Sequence, residues 1–325
     1  MPTPPTPPAS EGRRHSGGIQ VISNSQAGTN EDAQLRAAVA ELAVSGTDAV
    51  EVVSAGNAAD LDKLLERGYS TVIVAGGDGS LHAVVNALYR RSELAERTIG
   101  LIPLGTGNDF ARGMDIPLAP QRAAATFLNG LSRPMDLFVD DAGEVTVNAV
   151  HLGVGADSTL QAARWKQALG PMSFPVGGLI AGWAAQGYRL RVEADGDVVI
   201  GAHHKTLLVG LANGRFVGGG AGTLDPDARP DDGDISLVVS RSRGFWRRTA
   251  HAIRVHRGTH PLEIDVHRRR ARTVSVFGEP VTASNDGEIH REITARTWTV
   301  LPGAWNFVAV AQALTGEREP DQPPA

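Results

Sequence analysis

Four short runs hold the residue types that phosphate chemistry needs. The densest is Ala75-Gly76-Gly77-Asp78-Gly79-Ser80, directly after the apolar run Thr71-Val72-Ile73-Val74. Glycine permits positive φ and close approach, so successive backbone N–H groups form an anion-binding concavity ahead of a helix. Asp78 is the odd member. A bare carboxylate repels a polyphosphate, so its presence implies Mg²⁺, a ribose hydroxyl or a proton to be abstracted nearby. A second turn, Leu104-Gly105-Thr106-Gly107-Asn108-Asp109-Phe110-Ala111-Arg112, again follows an apolar run. Thr106 offers a hydroxyl and an N–H, while Asn108 and Asp109 either cap the next helix or reach a sugar or metal. The third run starts at Ala212-Asn213-Gly214 and ends in five aspartates within ten residues, Asp225 to Asp234. That is a hard-cation loop or a solvated acidic turn, with Asp231 and Asp232 its densest pair. The fourth, Ser284-Asn285-Asp286-Gly287-Glu288, sets two carboxylates two residues apart on a hairpin signal.

The elements that must position these runs change character along the chain. Apolar runs at 19–23, 49–53, 71–75 and 99–102 alternate with amphipathic stretches at 31–44, 58–67, 81–91 and 119–131. This pattern predicts a three-layer α/β domain with a mostly parallel sheet, its glycine turns gathered at the carboxyl edge. Beyond Met135, strand-like runs at 145–150, 188–194, 198–200, 206–211, 235–239, 262–266, 273–277 and 296–301 predict a mainly antiparallel β-rich second domain. Helical interruptions are expected at 157–168 and 245–255. The domain plan is a disordered Pro-rich tail over 1–16, the α/β domain over 17–135, the β-rich domain over 136–302, a returning segment over 303–315 and a disordered tail over 316–325.

Composition removes several functions. The 325 residues carry 42% apolar and 21% charged side chains, enough for sizeable cores. A net charge of −5 argues against a general nucleic-acid binder. With no cysteine there are no disulfides, thiolate catalysis or Cys-ligated metals. The three lysines, Lys63, Lys166 and Lys205, all lie outside glycine-rich turns, which excludes a Walker-type P-loop. The first strand lacks a Gly-x-Gly-x-x-Gly turn, which disfavours a Rossmann oxidoreductase. No signal-peptide core and no bilayer-length apolar stretch is evident, the longest candidate being 176–185. A protein that is soluble or peripherally attached is therefore expected, and the family resemblance below implies a cytoplasmic one, peripheral at the inner membrane face.

In this order the four runs closely resemble the diacylglycerol kinase catalytic family, the lipid kinases that include the sphingosine kinase type. The resemblance spans about residues 19–310. It implies an ATP- and Mg²⁺-dependent enzyme with a nucleotide cleft between two domains, phosphorylating a hydroxyl of a diacylglycerol-like membrane lipid. Carried over by the resemblance, Asn24, Ser25, Gly28, Ser54, Gly76, Gly77, Asp78, Gly79, Ser80, Gly105, Thr106, Asn108 and Asp109 surround ATP, with Asp78 and Asp109 organising its phosphates through Mg²⁺ and water. Asp286 or Glu288 takes the proton of the attacking hydroxyl, so Asp286, Glu288 and Asp78 form the catalytic set. Asp232, with carbonyls of Arg229 and Asp234 and with Asp231 beside it, matches a structural Mg²⁺ site.

Departures from the family pattern are local. The first turn, Asn24-Ser25-Gln26-Ala27-Gly28, lacks the usual proline after the asparagine and the basic residue beyond the glycine. His82-Ala83 replaces an Asn-Glu pair, and His82 reads as a helix-surface histidine. Basic stretches at 241–248 and 267–272 offer contacts to anionic lipid, and an edge strand of the β domain offers a homodimer contact. The competing readings are an NAD kinase-like enzyme and a non-catalytic lipid or nucleotide sensor on the same fold.

Overall fold

The computed structural model describes residues 18–25, 29–44, 50–153, 156, 187–220, 222–241 and 266–309. The first half runs β1 (Ile19–Asn24), α1 (Thr29–Val44), β2 (Val50–Ala55), α2 (Ala58–Leu65), β3 (Thr71–Gly76), α3 (Asp78–Arg90), β4 (Thr98–Pro103), α4 (Asp109–Gly113) and α5 (Pro120–Asn129). The strands pair in parallel in the order β2-β1-β3-β4. Alternation along β3 sorts its side chains. Val72 and Val74 join Leu61, Leu65, Leu81 and Val85 on the face covered by α2 and α3. Ile73 and Ala75 join Leu35, Leu42, Ala124 and Phe127 on the face covered by α1 and α5. The result is the three-layer arrangement that period-2 strands and amphipathic crossover helices require.

The second half is β-rich: β5 (Leu131–Asp140), β6 (Val145–Thr146), β7 (Ala149–Gly153), β8 (Tyr188–Ala194), β9 (Asp197–Ile200), β10 (Lys205–Thr206), β11 (Leu208–Ala212), β12 (Phe216–Val217), β13 (Gly222–Thr223), β14 (Ile235–Ser240), β15 (Val266–Ala271), β16 (Thr273–Asn285) and β17 (Glu288–Ala309). Pairing here is antiparallel, through β15-β14-β11-β7-β16-β17. β17 joins the halves. It leaves the hairpin with β16, pairs antiparallel with β5, and ends parallel to β4 through Asn306 and Phe307. Its pairing with β5 is interrupted between Leu301 and Trp305, where the Gly303 N–H donates to Asp136 at 2.8 Å. Beyond that bulge Trp305 is fully buried among Phe110 and Phe307, so the last strand contributes core to the α/β half.

Differences from the sequence expectation have local causes. The strand expected over 145–150 divides into β6 and β7 because the N–H groups of Val147 and Asn148 turn to the Asp286 carboxylate. The one expected over 206–211 divides at Leu207, whose N–H donates to the Ser240 carbonyl. β16 and β17 extend far beyond 273–277 and 296–301, and their added residues, mostly polar or exposed over 278–280 and 288–295, form no apolar run that would mark a strand. The expected helices at 157–168 and 245–255, the apolar stretch 176–185, and most of 241–248 and 262–266 lie outside the described residues.

Candidate active site

Two glycine turns meet at the carboxyl edge of the parallel strands. α3 begins at Asp78, earlier than its apolar periodicity suggested, with Gly77 as N-cap and no side chain capping it. The Leu104 N–H donates to the Gly76 carbonyl at 3.0 Å, which fastens the second turn to the first. A Cβ on Gly105 would lie 2.6 Å from the Gly77 Cα, and one on Gly76 would lie 2.4 Å from the Ser80 Oγ. At Gly105 backbone packs on backbone and at Gly76 backbone packs on the Ser80 side chain, and a Cβ has no room at either. In front of the first of these turns opens a cleft of about 490 Å³, lined among others by Asn24, Gly77, Gly79, Ser80, His82 and Glu288. It has the size of a small-molecule site, and the N-terminal end of α3 faces it with the partial positive charge of its unpaired N–H groups.

Two of the expected site carboxylates serve as backbone acceptors. Asp78 accepts the N–H groups of Asp109 and Phe110, both at 2.9 Å, and so caps α4 from another helix. Asp109 in turn accepts the N–H groups of Gly219 and Gly220, at 2.9 and 2.6 Å, and ties the β-rich half to α4. Asn108, in the left-handed region at φ 53°, does not cap the helix. Its amide donates to the Gly105 carbonyl instead. Burial raises the pKa of Asp78, partly offset by the two N–H groups and reinforced by the charge of Asp286. Burial likewise pushes Asp109 up to about 6, against the N–H groups of Gly219 and Gly220 and with the charge of Asp78 adding to the rise. The amide resonances of Gly219 and Gly220 are expected to titrate together with a midpoint near that value, and Asp109→Asn is expected to abolish the transition in a ¹H–¹⁵N spectrum followed from pH 8 to 5.

The Asp286-Gly287 turn carries the third carboxylate. Both residues have positive φ, 47° and 97°, as a tight two-residue hairpin turn requires. The Asp286 side chain turns inward to 2% exposure and collects four partners. Val147 N–H donates to Oδ2 at 2.6 Å, Asn148 and Ala149 N–H donate to Oδ1 at 2.9 Å, and His82 Nδ1 lies 2.9 Å from Oδ2. The surface reading of His82 is therefore corrected: it is buried, and its partner lies 204 residues away in sequence. Burial lowers the His82 pKa, but the hydrogen bond to Asp286 and the charges of Asp286, Glu288 and Glu144 outweigh that and hold it above 6.5. Glu288 remains 62% exposed, its Oε1 3.9 Å from His82 Nε2.

The remaining expected positions scatter. Ser54 bonds Ser23 through its hydroxyl at 2.8 Å, Ser25 N–H donates to the Ala55 carbonyl, and Thr106 is exposed. Gly28 lies outside the described residues. In the acidic loop Asp231 pairs with Arg229, Asp232 pairs with Arg270 and accepts the Asp234 N–H, and the described residues contain no group of three metal-ligating side chains. The one carboxylate expected to hold the structural cation is thus paired with an arginine in this structure. The basic stretch 267–272 is similarly neutralised, Arg268 by Asp225 and Arg269 by Asp197. Sequence reasoning missed the partner of His82 and the buried amide of Asn148, which donates to the Phe216 carbonyl, while the Asn213 amide of the third run donates to the carbonyls of Asp136 and Val147. The available signal for His82 was its spacing: four residues after Asp78 on a helix is the same face.

A parallel α/β half and an antiparallel β half, with a phosphate-sized cleft at the carboxyl edge, define a two-domain fold of the lipid-kinase type. The diacylglycerol kinase catalytic domain family matches residues 18–139, and the YegS C-terminal NAD kinase beta sandwich-like domain family matches residues 148–309. A probable lipid kinase YegS-like from Pseudomonas aeruginosa is 36% identical over 226 residues, 68% of this chain and 71% of the relative. A diacylglycerol kinase from Staphylococcus carnosus is 28% identical over 251 residues, 77% of this chain and 80% of the relative. The crystal structure of a putative diacylglycerol kinase from Bacillus anthracis superposes with a TM-score of 0.75 at 22% identity, covering 92% of this chain and all of that one. The chain belongs to the family of YegS-like and diacylglycerol kinase-like lipid kinases.

Proposed function

We propose that the protein transfers the γ-phosphoryl group of ATP, delivered with Mg²⁺, to a hydroxyl of diacylglycerol or a related membrane lipid. The observation that carries this reading is one cleft in which the N-terminal turn of α3 faces the same space as His82 and Glu288. The backbone N–H groups of Gly77 and Gly79 are the donors suited to a polyphosphate, and Asn24, Gly56 and Asn57 border the same cleft. Phosphoryl transfer has a loose transition state, so positioning and charge neutralisation carry most of the rate. The chain supplies positioning through the interlocked glycine turns. ATP with its Mg²⁺ supplies the reacting phosphoryl group and cationic charge, and Asp78 and Asp109, each holding two backbone N–H groups, keep acceptor capacity that would orient the ion's waters.

Among the described residues no helix is long and apolar enough to cross a membrane. Reaching a lipid hydroxyl then calls for peripheral docking on an anionic bilayer surface, which is part of this proposal. The test is transfer of radiolabelled γ-phosphate to a panel of lipid alcohols in mixed micelles, for wild type, Asp78→Ala and Asp286→Ala. Labelled lipid from wild type alone supports the proposal and names the acceptor. No labelled lipid, with NADP formed when NAD is offered, sinks it.

A further inference from the structure

The two carboxylates of the hairpin turn differ in what they have left to offer. An ionised carboxyl group provides about four lone-pair sites. Those of Asp286 are taken by the N–H groups of Val147, Asn148 and Ala149 and by His82 Nδ1, on a side chain that is 2% exposed. Glu288 is 62% exposed and borders the cleft, so it is the carboxylate open to an acceptor hydroxyl.

His82 stands between the two. Because Asp286 only accepts, the proton of their 2.9 Å contact sits on Nδ1, and the buried ring is fixed with Nε2 at 3.9 Å from Glu288 Oε1. In the neutral ring Nε2 carries a lone pair and faces another acceptor. No bond forms between them. Once Nε2 gains a proton it becomes a cationic donor within ion-pair distance of an exposed side chain that can swing to close the gap.

Resting on the kinase reading above, we infer that His82 is a positioning residue for Glu288: the neutral imidazole leaves that carboxylate to the acceptor hydroxyl, whereas the imidazolium holds it through Nε2–H. In the active state Glu288 takes the hydroxyl proton as the hydroxyl oxygen bonds the γ-phosphorus and the bond to the β–γ bridging oxygen breaks, ADP leaving with the electron pair. His82 lies outside the path of that proton. In the held state the nearby cation favours the ionised carboxylate and weakens it as a base.

The groups around the ring favour its protonation. Asp286 and Glu288 face it from the hairpin turn and Glu144 from the start of β6, and together they outweigh burial and hold its pKa above 6.5. Glu144 is shared with His290, whose Nε2 lies 3.1 Å from its Oε2. Asp78, one turn earlier on α3, adds negative charge near Asp286, and Arg90 borders the cleft two turns further along. Beyond Asp286 burial drives His151 down to about 4, which keeps it neutral. The imidazolium therefore forms as pH falls through a value above 6.5, well before an exposed glutamate would itself protonate near about 4.3.

The deciding experiment follows kcat from pH 8.5 to 5.5 for the full chain with ATP–Mg²⁺ and lipid acceptor in mixed micelles. His82→Asn keeps a side-chain N–H for Asp286 but cannot become a cation. At pH 5.5 about a tenth or less of His82 is neutral, so the ratio of variant to wild-type kcat is expected to rise about tenfold or more across the range, with KM for ATP moving alike in both proteins. A ratio constant within about twofold shows a histidine that serves only Asp286 and overturns the inference. A second measurement needs no turnover: Glu288→Gln is expected to lower the titration midpoint of the His82 ring protons in the NMR spectrum, the resonance being identified by its loss in His82→Asn. An unmoved midpoint overturns the inference as well. Absence of labelled lipid from wild type at pH 8.5 fails the kinase reading instead, and leaves the midpoint comparison to decide whether His82 holds Glu288.

Discussion

Asp286→Ala is expected to reduce lipid phosphorylation by about 10³-fold or more and to lower the free energy of unfolding in urea by about 3–5 kcal/mol. Both effects come from one carboxylate. It accepts three backbone N–H groups, and those of Val147 and Asn148 belong to the segment that breaks β6 from β7. Alanine leaves them buried without an acceptor, each at a cost of about 1–3 kcal/mol before relaxation. It also strands His82, which is 4% exposed at its side chain.

The pH dependence separates the two contributions. In the wild type the folded His82 pKa is raised above 6.5, so its contact with Asp286 contributes stability that is present below the unfolded value and lost as pH rises through the folded one. The stability gap between wild type and Asp286→Ala is therefore expected to be larger at pH 6 than at pH 9. A gap that does not change with pH would mean that the carboxylate serves only the backbone. Asp286→Asn is an instructive intermediate, because its amide has one acceptor oxygen where two are used and turns an N–H₂ toward N–H donors.

What was legible in the sequence divides by range. The parallel half was readable because its strands are short apolar runs followed by glycine, as at Thr71–Gly76, and because α2 and α3 keep a helical apolar period. The full length of the strand that binds the halves together was not. Beyond the run at 296–301 and the returning segment over 303–315, β17 takes in 288–295, where Arg291 and Glu292 are exposed and Ile293 alone is buried, so no apolar run marks it. The glycine turns were recognisable by composition, but the use of their carboxylates was not. Asp78 caps a helix that begins 31 residues later, and Asp109 holds glycines 110 and 111 residues away. A carboxylate bound to distant backbone N–H groups has the same sequence signature as one that faces a ligand. The acidic loop shows the same ambiguity, because the arginine that neutralises Asp232 comes from β15.

Gly105→Ala is expected to cut catalytic efficiency toward ATP by about 10²-fold while the protein remains folded. Gly105 is absent from the positive-φ residues, so alanine meets no backbone strain there. Its Cβ would instead lie 2.6 Å from the Gly77 Cα, 3.2 Å from the Gly77 N and 3.0 Å from the Asn108 Oδ1. Two of these atoms are backbone and cannot swing away, so the turns must separate by a few tenths of an ångström or more. That movement shifts the start of α3, and with it every N–H group that faces the cleft. Gly79→Ala is the matching control, because a Cβ there meets nothing within 4 Å. It should leave thermal stability unchanged, and any loss of ATP affinity would come from the methyl group meeting the nucleotide itself. A Gly105→Ala protein that binds and turns over ATP as wild type does would show that the cleft tolerates displacement of its first helix turn, and the contact between the two glycine turns would then be packing without consequence for phosphate placement.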